Sequence, residues 1–147
     1  MAPAHSFDFT EIRVGGERVL RPDLPVVLTG PAGSIRASML LDSGADISMV
    51  GLGLARALGL DLSTRDRVFG VSGSTNVFRS SVLVEVLVPT GRTPALRIPL
   101  WVPTKAGLPP EPILGREVFF QENEVTFDMG RGAKGRFTVT PRPRRSG

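Results

Sequence analysis

The stretch LLDSGADIS, residues 40–48, places a carboxylate, a hydroxyl and a glycine directly behind an apolar run. Residues 34–42 alternate apolar and mixed side chains, which predicts a strand that ends at Asp42. Gly44 follows where the backbone has to turn sharply or be approached closely. A carboxylate in this position is a candidate general base, but Asp-Ser-Gly is also common turn chemistry. The stretch alone leaves both interpretations open.

The rest of the chain is typical of short strands, with one short helix. The expected elements are a hairpin of 24–30 with 34–42, a helix within 51–60, strands at 66–70 and 75–89 around a VSGS tip, a strand at 95–103, a brief strand and helical turn within 111–120, and a final hairpin over 124–140. This pattern predicts a small all-β domain of mostly antiparallel strands.

The length of 147 residues with 41% hydrophobic side chains suits a single domain with a real core. We expect the folded domain over residues 21–140. The N-terminal segment 1–20 is expected to be flexible, and the basic tail 141–147 is expected to be disordered because it is rich in proline and charge.

Composition excludes several classes of function. The chain has no cysteine, so disulfides, thiol nucleophiles and cysteine-bound zinc are ruled out, and its single histidine, His5, lies far from any catalytic motif. We therefore expect neither a metal nor another cofactor. No apolar stretch reaches the roughly 18 residues of a membrane span, and no secretory leader is visible, so we expect no membrane contact and a cytoplasmic location.

The net charge of +4 raises the possibility of a nucleic-acid partner. The basic residues are scattered, however, and the one dense cluster is the tail PRPRRSG at 141–147. No nucleic-acid-binding module is visible, so we expect no specific nucleic-acid partner. A small basic β-barrel that binds nucleic acid remains a minor alternative, which the salt dependence of binding would reveal.

Two later stretches of the sequence favour the interpretation of Asp42 as a catalytic carboxylate over that of a turn residue. FGVSGST at 69–75 is a glycine-tipped hairpin, and ILGR occurs at 113–116. Together with LLDSGA, in this order and spacing, they resemble the retropepsin-like aspartic proteases, particularly the short bacterial members, over roughly residues 24–140. The resemblance implies a small closed β-barrel with one or two short helices, assembled as a twofold homodimer.

The resemblance also assigns roles to individual residues. It makes Asp42 the catalytic aspartate and Ser43 the residue whose hydroxyl bonds across the dimer axis, with Gly44 and Ala45 completing the loop. It pairs Asp46 with Arg116. The flap would consist of Gly70, Val71, Ser72, Gly73 and Ser74. The family asparagine after Gly-Arg is Glu117 here, which puts the hydrogen bonding of that turn in question.

Hydrolysis of a peptide bond without a metal or a covalent intermediate needs one group to deprotonate water and another to protonate the carbonyl oxygen. Two carboxylates that share one proton can do both. The chain has a second Asp-x-Gly at Asp128, but methionine replaces the hydroxyl there and the position favours a turn. The second catalytic carboxylate is therefore expected from the Asp42 of a second chain.

The function predicted on these grounds is an aspartic endopeptidase acting on an extended peptide or protein substrate. The alternative is a catalytically weak or inactive module that keeps the fold for dimerisation or peptide binding. Asp46 and Arg116 are expected to form a buried structural pair. Near the flap, Phe69, Val71 and Phe78 are candidates either for substrate pockets or for packing, and Trp101 is expected in the core or an interface.

Overall fold

The computed structural model of the chain describes residues 3–70, 73–109, 111–130 and 135–143. Thirteen strands and two short helices lie within these ranges. They are β1 (His5–Asp8), β2 (Thr10–Val14), β3 (Glu17–Arg21), β4 (Asp23–Gly30), β5 (Gly33–Leu41), β6 (Ser48–Met49), α1 (Leu52–Ala57), β7 (Thr64–Gly70), β8 (Gly73–Val88), β9 (Gly91–Arg92), β10 (Leu96–Pro103), β11 (Ile113–Leu114), α2 (Phe119–Glu122), β12 (Asn123–Asp128) and β13 (Arg136–Pro141).

Six of the strands form a closed barrel. β4 pairs antiparallel with β5 and β8, and β8 pairs antiparallel with β10. The circuit returns through the very short strands: β10 pairs with β6, β6 with β11, and β11 runs parallel to β5. The predicted all-β barrel with short helices is therefore confirmed.

Alternating apolar residues fill this barrel. On β8, Val82, Val84 and Val86 are buried while Leu83 and Leu87 on the opposite face are half-buried, so the strand is covered on both faces as its sequence predicts. The short helix α1 adds Leu52 and other apolar side chains to the same core. The end of β5 contributes Met39 and Leu41 to this core. The residue that follows β5 is therefore held on a rigid element.

The terminal segments form a second sheet in the order β1–β13–β12. Four aromatic rings pack together there, with Phe137 in contact with Phe7, Phe9 and Phe127. The expected final hairpin is present as β12 and β13, in register from Asn123 with Pro141 to Asp128 with Arg136.

The N-terminal segment 1–20, expected to be flexible, contains strands. Residues 5–8 pair with β13, and residues 10–14 form a hairpin with residues 17–21. Its two-residue turn is Gly15-Gly16, with φ of 58° and 84°, the backbone that a tight hairpin requires. Neither helix within the described residues has the length and apolar character needed to cross a bilayer.

Candidate active site

Asp42 is the first residue after β5, and the backbone on both sides holds it in place. Its amide donates a hydrogen bond to the carbonyl of Leu114 at 3.0 Å. The amide of the preceding residue, Leu41, donates to the carbonyl of Pro22, also at 3.0 Å. Since these carbonyls belong to segments on opposite sides of β5, the position of the carboxyl-bearing residue is fixed by the barrel itself.

The loop that follows turns tightly around the Asp42 carboxylate. The Gly44 amide donates to Asp42 Oδ1 at 2.9 Å, and the Ala45 amide donates to the Asp42 carbonyl at 3.2 Å. Asp42 is half-buried, whereas Ser43 and Gly44 are exposed. A Cβ on Gly44 would lie 3.2 Å from Asp42 Oδ1, so a side chain there would crowd the carboxylate. The carboxylate is thus held by a backbone amide at a half-buried position.

Gly115 is the residue at which the ILGR segment, residues 113–116, closely approaches the loop after Asp42. Its amide donates to the buried hydroxyl of Ser48 at 2.9 Å. A Cβ on Gly115 would lie 2.8 Å from the carbonyl carbon and oxygen of Ile47 and 2.9 Å from the carbonyl oxygen of Ala45. Because these are backbone atoms that cannot rotate away, the close approach of the two segments requires glycine here.

Arg116 contacts the loop at two points. Its Nη1 donates to the carbonyl of Ser43 at 3.2 Å, and its Nη2 forms an ion pair with Asp46 Oδ1. The contact between Asp46 and Arg116 is the one that the resemblance implies. The two side chains are 75% and 52% exposed, so the expectation that this pair is buried is wrong for the single chain. The loop lies at the surface, where water screens both charges.

Glu117, the departure from the family pattern, does not prevent the turn from closing. Its amide donates to the carbonyl of Asp46 at 3.0 Å, and its side chain is exposed. The next residue, Val118, has a φ of 67°, which is unusual for a β-branched side chain. The amide of Phe119 donates to the carbonyl of Glu117 at 2.9 Å across this tight turn.

An apolar cavity of about 350 Å³ lies between the β7–β8 hairpin and strands β6 and β10. Met49, seven residues after Asp42, lines it. Trp101, expected in the core or an interface, is half-buried and also faces this cavity. The hairpin contributes Val68 and Val77. The cavity can therefore accept an apolar group between the hairpin and the barrel strands.

The two aromatic residues of the hairpin, Phe69 and Phe78, are not among the residues that line this cavity. Phe78 packs against the barrel core, and the guanidinium of Arg65 lies over its ring at 5.3 Å. Phe69 is 78% exposed. In the register of β7 and β8, Val68 and Val77 occupy the face that lines the cavity, so the packing alternative holds for Phe78.

The tip of the β7–β8 hairpin coincides with the sequence proposed as a flap. Gly70 is paired with Gly73, and Phe69 with Ser74. Gly73 has a φ of 116°, a conformation that residues with side chains rarely adopt. The two remaining residues of the tip, Val71 and Ser72, lie outside the described residues.

The second Asp-x-Gly sequence forms a turn, as expected. Asp128 ends β12, and its Oδ1 accepts a hydrogen bond from the Gly130 amide at 3.0 Å. It lies in the terminal sheet, whereas Asp42 belongs to the barrel. In the part of the chain that the structure describes, histidine, aspartate and glutamate side chains form no cluster of three that could hold a metal ion.

Similarity to known proteins is found among solved structures. No family model and no curated protein matches the sequence. A retropepsin-like aspartic protease from Rickettsia conorii is similar in structure, with a TM-score of 0.56 and 12% identity over 97% of both chains. The EIAV protease in complex with an inhibitor has a TM-score of 0.49 and 22% identity, over 75% of this chain and 93% of its own. The retroviral protease-like domain of Ddi1 from Leishmania major has a TM-score of 0.43 and 17% identity, over 84% of this chain and 97% of its own.

The similarity to the Rickettsia conorii structure extends over nearly the whole of both chains. The chain therefore has the retropepsin-like fold, as its sequence motifs imply.

Proposed function

We propose that this protein is an aspartic endopeptidase whose active site is completed by a homodimer. The observation that carries the proposal is the setting of Asp42. It follows a barrel strand, its carboxylate is held by the Gly44 amide, and its loop is joined to Arg116 in a retropepsin-like fold.

The chemistry follows from two carboxylates that share one proton. The ionised carboxylate removes a proton from water, and the protonated carboxyl donates a proton to the carbonyl oxygen of the scissile peptide. Among the described residues, neither of the other two candidate aspartates suits the role, because Asp128 forms a turn in the terminal sheet and Asp46 is paired with Arg116. In a twofold dimer the second carboxylate is the partner's copy of the same residue, Asp42.

The substrate proposed is an extended peptide or protein segment that lies between the Asp42 loop and the β7–β8 hairpin. In this role residues 70–74, including Val71 and Ser72, act as a flap that excludes water when it closes. An extended chain can pair with strand edges while its side chains enter pockets. The apolar cavity beside Met49 and Trp101 can take such a side chain. The cytoplasmic location and the domain boundaries stay predictions.

A peptide library tests the proposal most simply. Wild-type protein should cleave a subset of peptides, and Asp42→Asn should abolish cleavage while it preserves the fold, because asparagine is nearly isosteric but cannot act as the base. Asp128→Asn is the matched control, since it changes the other Asp-x-Gly and should keep full activity. If Asp42→Asn cleaves as fast as the wild type, the proposal is wrong. Peptide binding without any cleavage by the wild type would support the alternative of an inactive binding module.

A further inference from the structure

Arg21 forms ion pairs with two carboxylates that belong to different parts of the barrel. Its Nη2 lies 3.0 Å from Asp23 Oδ1 and also contacts Glu111 Oε2. The side chains of Arg21 and Asp23 are only 20% and 15% exposed, and that of Glu111 is 37% exposed. These three side chains, the Arg21 cluster, are thus better shielded from water than the pair formed by Arg116 and Asp46.

The strand register places the Arg21 cluster across the end of β5. Leu40 on β5 is paired with Asp23 on one side and with Ile113 on the other. Neighbouring strands lie about 4.8 Å apart, so β4 and β11 are separated by roughly 10 Å with β5 between them. Through Asp23 at the start of β4 and Glu111 just before β11, one guanidinium connects the two strands that flank β5.

The same segments supply the carbonyls that hold the last residues of β5. The Leu40 amide donates to the carbonyl of Pro112 at 2.9 Å, and the Leu41 amide donates to the carbonyl of Pro22 at 3.0 Å. Pro22 directly follows Arg21, and Pro112 directly follows Glu111. The ion pairs therefore hold together the two backbone segments that fix β5 immediately before Asp42.

We propose that Arg21 is a positioning residue for Asp42. It acts through the backbone on both sides of β5 and does not contact the reacting atoms. Both contacts are made by one guanidinium nitrogen, Nη2, which carries two N–H donors and can therefore serve one carboxylate with each. This inference rests on the proposed function, since positioning matters to turnover only if Asp42 does the chemistry.

The test compares Arg21→Met with Arg18→Met. Methionine keeps the apolar stem and removes the charge in both variants. Arg18 lies on the same strand, β3, and pairs with Glu11 at 3.2 Å, but that contact stays within the β2–β3 hairpin. Amide hydrogen exchange at Leu41 and Asp42 is followed by NMR, and kcat and KM are measured on a peptide that the wild type cleaves.

For Arg21→Met, hydrogen exchange at the Leu41 and Asp42 amides should become roughly tenfold faster, because their acceptor segments are no longer tied together. The value of kcat should fall by roughly tenfold or more with KM changed less than about twofold, since a small displacement of the reacting group slows chemistry more than it weakens binding. Arg18→Met should match the wild type in both measurements. Equal exchange and equal kcat in Arg21→Met and Arg18→Met would overturn the proposal.

Glu111→Gln provides a second route if Arg21→Met folds poorly. It removes one carboxylate from a partly exposed position. Like Arg21→Met, it should make exchange at the Leu41 and Asp42 amides faster and lower kcat. Because both changes break the same link, the double variant should be little worse than Arg21→Met alone. Fully additive effects on kcat would contradict the proposal.

The two proposals fail in different ways. If the wild type cleaves no peptide, the proposed protease function is wrong, and the exchange measurement still decides whether Arg21 holds the end of β5. If the wild type is active but exchange at Leu41 and Asp42 is unchanged in Arg21→Met, the positioning role is wrong and the protease proposal stands.

Discussion

Replacement of Gly115 by alanine gives the sharpest structural test of the site. The new Cβ would lie 2.8 Å from backbone atoms of Ile47 and 2.9 Å from the carbonyl oxygen of Ala45, where ordinary contact begins at 3.4 Å. The two segments must therefore move apart. Because the hydrogen bond from the Gly115 amide to Ser48 and that from the Arg116 amide to Ala45 both cross this gap, the movement weakens both.

The expected loss of stability follows from these contacts. Each of these two hydrogen bonds contributes about 1 kcal/mol net, and overpacking of a tight site costs about 1 to 3 kcal/mol. We expect Gly115→Ala to lower the free energy of unfolding by about 3 kcal/mol, or the melting temperature by roughly 10 °C for a chain of this size. Peptide cleavage should fall as well, since the displaced segment contacts the loop after Asp42.

Urea unfolding can be followed by the fluorescence of Trp101, the one tryptophan of the chain. The variants must be compared at one protein concentration, since dimer formation would contribute to stability. Gly53→Ala is the control: a Cβ there meets nothing within 4 Å, and alanine in an exposed helix should stabilise by up to about 1 kcal/mol. If Gly115→Ala unfolds at the same urea concentration as the wild type and keeps its activity, the inferred close contact is wrong.

Three further predictions concern the hairpin, the ion pair and pH. Gly73→Ala should lower kcat with little change in fold, because φ is 116° there, whereas Gly70→Ala should be tolerated; equal kinetics would mean that the tip is an ordinary turn. Arg116→Ala should reduce activity but shift stability by at most about 1 kcal/mol, since its pair with Asp46 is exposed; thermal melting alongside a cleavage assay checks both. Cleavage should follow a bell-shaped pH profile with its maximum on the acidic side of neutral, and a rate that rises steadily to alkaline pH would exclude a shared proton on Asp42.

The longer antiparallel strands could be predicted from the sequence because they carry strong alternation and clear turn residues, whereas the closed barrel followed from the resemblance to the retropepsin-like proteases. The hairpin of β4 with β5 and the long strand β8 agree with their predicted positions to within two residues. The strands β6 and β9 were missed because two residues carry no periodic signal. The N-terminal strands were missed for a different reason: residues 5–21 mix charged and apolar side chains, and only pairing with β13 and the Gly15-Gly16 turn makes them regular.

At the site, the family resemblance led correctly to the contact between Arg116 and Asp46, but the expectation that the pair is buried was wrong for the single chain. Ser48 was overlooked, although a lone serine in the apolar run ISMV is a signal for a buried hydroxyl with a specific partner. Arg21 could not have been found from the sequence. Its partner Glu111 is 90 residues away along the chain, and only the folded barrel brings the two together.

Subunit mixing tests the central claim, that two copies of Asp42 make one active site. Wild-type chains are mixed and re-equilibrated with Asp42→Asn chains at constant total protein. If only dimers with two aspartates are active, random pairing makes activity fall as the square of the wild-type fraction, so an equal mixture keeps about a quarter. Specific activity should also fall on dilution. A linear fall with the wild-type fraction, with activity independent of concentration, would show that each chain carries a complete site and would contradict the account.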